Sequence, residues 1–526
     1  MRRAILVLWL VPLALAVIFW FRPPRGVDSY HHAINAVEQA RAWSEGAVMP
    51  RYHRGWNGGT GTFMPTIYSP IPLSVQGGLA LLVGDGQRAV GISLAIALLV
   101  AAVSLVGWSR EPIAVLVILA PYFMAVSLSR STTTEAWALA GAAIVLPLAM
   151  PSARLTQWRG LGLAVGVFLV AGCQVGMLLQ LGWLLGAAWA ASLLLSWKGI
   201  GKEPVEGVRG LSGASVWGLA GLFTGAILWV SAVVDAGHLA IAEVVSGPLD
   251  WRNNFLPDGS SLGLLLTATG LSLAVIALIV IARGEGTNRL ALSAAIVMGV
   301  VLSTPLSAPL WHLPKMENLQ FPWRILGPTT LVAVMALSGL RGRWRTVGIG
   351  VLLLPLVLLP VRMGTSDDSV PTASTPEELA LIAQYQWALE PNLPSERGFY
   401  APEYQRRHSL DHLARQEARL AVIERDVGGG TWRVTNDAPG WVLLPLQWWP
   451  EWRIEAGGRD LAYTDRWGLV AVELEVGTVE VHASLARSRS RMAGVLVSLM
   501  GMLALLLLAN RWGADQGPAE TLQGTA

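Results

Sequence analysis

The feature that most restricts this chain is the recurrence of long apolar runs. They lie near 4–21, 89–108, 112–129, 133–150, 160–176, 178–196, 214–234, 262–282, 289–305, 326–340, 346–361 and 491–510. Runs of about 17 to 22 apolar residues cross a bilayer as helices, because a helix satisfies its own backbone where water cannot. A thirteenth stretch, 71–84, is shorter and ends in "GDGQR". The pattern predicts a polytopic all-α membrane protein with about 12 transmembrane helices. Composition agrees: 53% of the 526 residues are hydrophobic and only 14% charged, against about a quarter charged in soluble domains. The formal charge of +3 is assigned to Lys and Arg in cytoplasmic loops, not to nucleic-acid binding. Tryptophans number 24 against 9 phenylalanines and 8 tyrosines, which suits interfacial belts and sugar-stacking surfaces alike. The single cysteine, Cys173, lies in an apolar run, which excludes an internal disulfide or a Cys-based metal site and reads as packing.

Basic loops set the orientation. "MRR", "ARLTQWRG" (153–160), "KGIGKEPVEGVRG" (198–210), "ARGEGTNR" (282–289), "RGRWR" (341–345) and "NRW" (510–512) belong on the cytoplasmic side. Residue 22 is then outside and Arg154 inside, so an odd number of crossings must separate them. Four candidates occupy that interval. The Pro-led, Gly-interrupted 71–84 is the weakest and is read as a re-entrant or surface helix on the outer face. Twelve spans remain, with both termini cytoplasmic. The outer face receives 22–88, 130–134, 235–261, 306–325 and the much larger 362–489. In that last region "VLLPLQWW", "LVAVELEV" and "TVEVHASL" alternate with period two between turns at "DVGGGT", "NDAPG" and "EAGGRD", which predicts short strands. Residues 376–425 read as one or two helices. The domain plan is a membrane domain over 1–361, a small extracytoplasmic α+β domain, β-sandwich-like at its end, over 362–489, a final span over 490–512 and a disordered tail over 513–526.

Chemistry concentrates on the outer face. Asp28 follows the first span by seven positions and opens "DSYHHAINAVEQARAWSEG", which reads as a helix. It is either an N-cap or a carboxylate at the lipid–water boundary. His31 stands one turn on, where the i, i+3 spacing brings it to the same face. That pair can support proton transfer or contribute to a metal site, but no third ligand is adjacent in sequence. In "PRYHRGWNGGTGTFMPTIYSPIP", Arg51, Arg54, Trp56, Asn57 and Tyr68 supply cationic, hydrogen-bonding and stacking groups. This is an ordered loop with interfacial anchors or a pocket for an anionic, polar headgroup. In "APYFMAVSLSRSTTTEAWA", Arg130 and Glu135 sit at facing ends of two spans as an ion pair or a phosphate site. In "LWHLPKMENLQFPWRIL", His312, Lys315, Glu317, Asn318, Gln320, Trp323 and Arg324 form the fourth element. An Arg on the outer side at the start of a span runs against the positive-inside bias and asks for an anionic partner.

At these same residues the sequence resembles the bacterial membrane proteins labelled 6-pyruvoyl-tetrahydropterin synthase-related, which are similar in layout to the YfhO-like proteins and to the GT-C class of glycosyltransferases. The resemblance rests on "DSYH" after the first span, on "MPRYHRGWNGGTGTFMPTIYSPIPL", on "APYFMAVSLSRSTTTEAWA" and on "LQFPWRIL", with "APEY" and "WWPEWRIEAGG" extending it into the outer domain. The chain departs from that group in Tyr52, where Trp is common, in Ser131, where Gly usually follows the Arg, and in Asp28-Ser29, where some GT-C enzymes carry Asp-Glu.

The resemblance implies a GT-C-like fold in the bacterial cytoplasmic membrane and transfer of a sugar from a polyprenyl-phosphate donor to an extracytoplasmic glycan or protein acceptor of the cell envelope. It implies that an acidic residue of the first outer loop is the base or orients the acceptor. Asp28 takes that role here, tuned by His31. Arg324, Arg51 and Arg130 are the candidate phosphate clamps, and Trp56, Tyr68 and Trp323 the stacking surfaces. Asn57, Glu135 and Gln320 complete the polar lining. A divalent metal is an open cofactor; membrane lipid is a partner and nucleic acid is not. Two other readings stand beside the enzyme: a carrier or flippase-like protein for a lipid-linked saccharide, and a scaffold in an envelope-polymer assembly. A carrier calls for ionisable residues deep within several spans, and these spans are clean of them.

Overall fold

The computed structural model describes residues 2–26, 28–56, 61–151, 156–198, 204–235, 251–257, 260–284, 288–313, 316, 321–359, 413, 415–466 and 469–515. The chain enters through α1 (Arg2–Phe21), reaches the short helix α2 (Ser29–Ser44), passes a loop to α3 (Met64–Ile67), and continues into α4 (Pro70–Val83) and α5 (Gly86–Ser109). Asp85 caps α5 by accepting from the Arg88 amide at 2.8 Å. The next apolar run does not form one helix. It is a 3-10 segment over Pro112–Leu119, a single α-turn α6 (Pro121–Met124) and a π-helical turn over Ala125–Arg130. Pro121 is one cause, since it holds Ala120 extended (φ −63°, ψ 141°) and ends the first segment. Helices α7 (Thr133–Ala149), α8 (Gln157–Trp197), α9 (Pro204–Thr224) and α10 (Ala226–Val234) follow. The runs expected at 160–176 and 178–196 join in α8, whose 41 residues break at Gln174 (φ −160°, ψ 91°).

Among the described residues four helices are long and apolar enough to cross a membrane: α5, α8, Ser261–Arg283 and the C-terminal helix from Arg489. Two bent pairs, Gly210–Thr224 with Ala226–Val234 (72°) and Asn288–Leu302 with Pro305–Trp311 (91°), raise the number to as many as six among the described residues. Several of the other runs expected to span form helices in the described residues that are shorter than a bilayer crossing. Leu326–Ser338 has 13 residues and Gly342–Leu353 has 12. The 14 residues of α4 rise roughly 21 Å, short of the ~30 Å hydrocarbon core. Helix α4 lies against α2 so closely that a Cβ on Gly77 would come within 2.5 Å of the Gln39 side chain.

The C-terminal strands form a small antiparallel sandwich. One sheet has the order β1-β2-β8-β4-β5 and the other β3-β7-β6, with β1 Arg419–Asp426, β2 Gly429–Asn436, β3 Gly440–Gln447, β4 Trp452–Ala456, β5 Arg459–Leu461, β6 Tyr463–Arg466, β7 Leu469–Leu474 and β8 Gly477–Leu485. The three alternating stretches are β3, β7 and β8. Gly457 and Gly458 (φ 55° and 76°) make the two-residue turn between β4 and β5, as a tight hairpin requires. Trp432 and Val434 of β2 and Val481 and Ala483 of β8 face Val442, Leu444, Val470 and Val472 across the core. The helical reading of 376–425 fails over 419–426. That stretch is the edge strand β1, paired with β2, and pairing across a sheet overrides its local helix propensity. The tail expected over 513–526 is helical at its start, since the C-terminal helix runs Arg489–Asp515; residues 376–412, those from 516, and Asn57, Lys315, Glu317, Asn318 and Gln320 lie outside the described residues.

Two aromatic residues of the first loop belong to this sandwich. Phe63 stacks on Trp449 with centroids 4.3 Å apart and planes 11° apart, and Tyr52 meets Trp452 edge-on at 5.4 Å. Both are fully buried. Gly61 (φ 79°) makes room: a Cβ there would fall 2.0 Å from the Tyr52 hydroxyl oxygen. Thus Tyr52, a departure from the resembled pattern, is a structural plug.

Candidate functional site: a buried carboxylate–guanidinium constellation

The π-helical turn carries Arg130 to the start of α2. Ser131 then adopts a left-handed conformation (φ 58°), which favours glycine, and its hydroxyl accepts from the Gly26 amide at 2.9 Å. The Asp28 amide donates to the Arg130 carbonyl at 2.9 Å. Contact here is so close that a Cβ on Gly26 would lie 2.3 Å from the Arg130 carbonyl carbon. Two loops 100 residues apart in sequence are therefore pinned backbone to backbone.

Asp28 occupies the N-cap position of α2 but makes no side-chain cap bond. Its carboxylate Oδ2 accepts instead from Thr132 Oγ1 at 2.7 Å and from Arg130 Nη2 at 3.1 Å. Arg130 Nη1 donates to Glu135 Oε2 at 2.9 Å, Arg324 Nε lies 3.5 Å from the same oxygen, and the Tyr122 hydroxyl donates to Glu135 Oε1. Two carboxylates and two guanidiniums thus alternate, and their charges balance. Trp323 and Phe321 cover the cations, with Arg130 5.0 Å from the Trp323 ring centre and Arg324 4.5 Å from that of Phe321. Glu135 is 1% exposed and Arg130 10%, whereas Asp28 reaches 26% and Arg324 14%. The two most open members of the constellation are therefore one acid and one cation.

A second cluster abuts the first. His31 lies 5.1 Å from Trp56 and 5.3 Å from Tyr68, and His32 lies 5.9 Å from Tyr68. Thr133 Oγ1 accepts from Gln76 Nε2 at 2.6 Å and is hydrogen-bonded to His32 Nδ1 at 3.1 Å. Burial, reinforced by His32 and opposed by Asp28, brings His31 down to about 3; burial, opposed by Asp28, brings His32 to about 4. Both rings are neutral at pH 7. Burial raises the Asp28 carboxyl, but Arg130, His32 and the Thr132 hydroxyl outweigh it and hold Asp28 below its ordinary value.

Of the residues singled out from sequence, Asp28, His31, Trp56, Tyr68, Arg130, Glu135, Trp323 and Arg324 come together. Arg51 does not join them. It pairs with Glu451 and donates to the Ala486 carbonyl at 2.8 Å, which ties the first loop to the sandwich. Arg54 likewise serves the interface, through Glu45 at 2.6 Å and the Arg425 carbonyl. His312 packs on Trp251 in a separate aromatic cluster. Asn57 and Gln320 lie outside the described residues. Tyr122, Thr132 and Phe321 belong to the site without having been singled out, although each lies inside a quoted stretch. Among the described residues no three of His, Cys, Asp and Glu are placed to hold a metal ion. A recess of about 370 Å³ lined by Gln39, Met49, Pro50, Leu73, Ser231 and Arg491 shares no residue with the constellation. Comparison with known proteins finds no matching family model and no matching curated protein.

Proposed function

We propose that this chain is a membrane glycosyltransferase of the GT-C kind, related to the 6-pyruvoyl-tetrahydropterin synthase-related group. In this reading it lies in the bacterial cytoplasmic membrane with twelve spans and both termini inside, and takes its sugar from a polyprenyl phosphate. The observation that carries the reading is the alternation of Asp28, Arg130, Glu135 and Arg324, with Asp28 and Arg324 at its accessible edge. In the reaction the acceptor hydroxyl gives its proton to Asp28 as its oxygen bonds to the anomeric carbon. The bond from that carbon to the donor phosphate breaks, and the departing polyprenyl phosphate keeps the electron pair. Arg324, which among the described residues pairs with Glu135 through Nε at 3.5 Å, is the guanidinium best able to turn toward that charge. Arg130 is committed to both carboxylates and holds Asp28 in place. Trp56 and Tyr68 flank His31 as a face for the sugar ring.

A carrier reading has one observation in its favour. Arg130 and Thr132 keep Asp28 ionised, which makes it a weaker proton acceptor than a carboxylate raised toward neutrality. Proteoliposomes supplied with a panel of polyprenyl-phosphate sugars distinguish the two. For an enzyme, Asp28→Asn lowers turnover by roughly 10²- to 10⁴-fold and leaves donor binding in place. Arg324→Ala lowers turnover by about 10²- to 10³-fold. Donor binding with no transfer, unchanged by Asp28→Asn, makes the protein a carrier; neither binding nor transfer with any donor removes both readings.

A further inference from the structure

Helix α2 is a beam between the charged constellation and the external sandwich. Its first turn carries His31 and His32 beside Asp28. Its middle carries Asn35 and Glu38, both 1% exposed. Glu45, which follows its last residue, accepts from the Val427 amide in the turn between β1 and β2 at 3.1 Å. Glu38 holds the loop by accepting from the Gly55 amide at 2.8 Å, and from Arg41. At roughly 24 Å, the 16 residues of α2 act as one rigid piece.

The loop that the sandwich grips contacts this beam at a defined place. Tyr52 and Phe63 are the plugged aromatics, and the residues next to each, His53 and Thr62, exchange two backbone hydrogen bonds of 2.9 Å. His53 is 1% exposed, and its Nδ1 donates to Asn35 Oδ1 at 3.3 Å. The amide nitrogen of Asn35 donates to His31 Nε2 at 3.0 Å. One buried amide therefore assigns both imidazoles. His31 must accept at Nε2 and carry its proton on Nδ1, and His53, which donates from Nδ1, carries its proton on that nitrogen too.

We propose that docking of the external sandwich is read at the charged site through Tyr52 and Phe63, His53, Asn35 and His31, with Asn35 as the positioning residue. When the aromatic plug is seated, the His53–Thr62 bridge is held, Asn35 is oriented, and His31 stands fixed among Trp56, Tyr68 and Asp28. When the plug leaves, Asn35 loses its acceptor bond and His31 its tautomer and position. Among the described residues the titratable groups facing His31 include Asp28 from the loop before α2, His32 on α2, Tyr68 and, through Asn35, His53. The relay does not depend on which chemistry the site performs.

The test uses the full chain in lipid nanodiscs, with two readouts: hydrogen exchange of the 28–36 and 440–454 peptides, and the rate of His31 modification by diethylpyrocarbonate. Phe63→Ala is expected to speed exchange in both peptides and to raise the His31 rate by about tenfold, as the opening of one cooperative unit would. Asn35→Ala is expected to raise the His31 rate while leaving 440–454 protected. Asn35→Asp places a carboxylate against His31, so the midpoint of its pH-dependent modification should rise by about one pH unit or more. If Phe63→Ala fails to fold, Gln447→Ala, which removes the acceptor of the Phe63 amide at 3.1 Å, is the milder release with the same two readouts. A freed 440–454 peptide with wild-type His31 reactivity overturns the relay. So does an unchanged His31 midpoint in Asn35→Asp.

Discussion

Both ends of α2 bury polar or aromatic groups at a junction between distant parts of the chain, but they do so in opposite ways. At the sandwich, Tyr52 and Phe63 enter a socket of Trp432, Trp449 and Trp452 and are sealed from solvent. At the charged end the packing is as tight, yet Asp28 keeps a quarter of its side chain open and Arg324 holds its carboxylate only at 3.5 Å. A junction built to last is closed by shape. The charged junction, for which we propose a ligand, keeps charges that are less fully enclosed and less closely paired.

That contrast can be broken by mutation. The largest effect is expected at the plug, where Phe63→Ala should cost about 4 kcal/mol through loss of a filled aromatic site, read as a lower denaturant midpoint for the Trp fluorescence of the sandwich. Glu135→Ala strands Arg130 and Arg324 without their shared acid and should cost about 3 kcal/mol, measured as loss of thermal stability in the membrane part. If Glu135→Ala is milder than an ordinary surface substitution, the constellation is more hydrated than its burial indicates and the contrast fails.

Acid should act on the loop and not on the plug. His31, His32 and His53 are held at about 3 to 4, below the ordinary histidine value, so between pH 6.5 and about 3 the unfolded loop binds protons that the folded loop refuses. Their contribution is present above pH 6.5 and is lost as pH falls through that window. Asp28, also held low, gives way only toward the bottom of it. Exchange of residues 28–36 measured from pH 7 to 4, corrected for intrinsic rate, should show the loss. The smallest effect is expected at the solvated pair Arg433–Glu480, 3.0 Å apart on the exposed face of the sandwich. Arg433→Ala should cost no more than about 0.5 kcal/mol and less in high salt.

Apolar run lengths and alternation made much of the architecture legible. The strands β3, β7 and β8, the turns between strands, and the helices around 89–108 and 262–282 all appear where those patterns put them. The failures have physical causes. The stretch 112–130 is apolar enough for a span, but its prolines and the π turn break it into pieces that aim Arg130 at Asp28. The strand β1 is exposed on most of its length, so its helix-like pattern records solvent and not a buried face. At the site, each of Asp28, Arg130, Glu135 and Arg324 was visible as an oddly placed charge. The Arg130–Glu135 pair, five positions apart, was legible as an ion pair; that Arg130 also binds Asp28, 102 positions away, was not. Arg51 and Arg54 misled for the same reason: a cation in a loop does not announce that its acid is Glu451.

The plug also bears on the order in which the protein is made. Tyr52 and Phe63 leave the ribosome early, whereas Trp449 and Trp452, which cover them in the sandwich core, follow nearly 400 residues later. Through all the intervening synthesis the first loop must wait with bare aromatics. A transcript cut short before codon 413 would leave it in that condition permanently, open to proteases and to a misplaced partner. The last fifth of the polypeptide thus acts as an inspector of the first tenth: only a completed chain can close it.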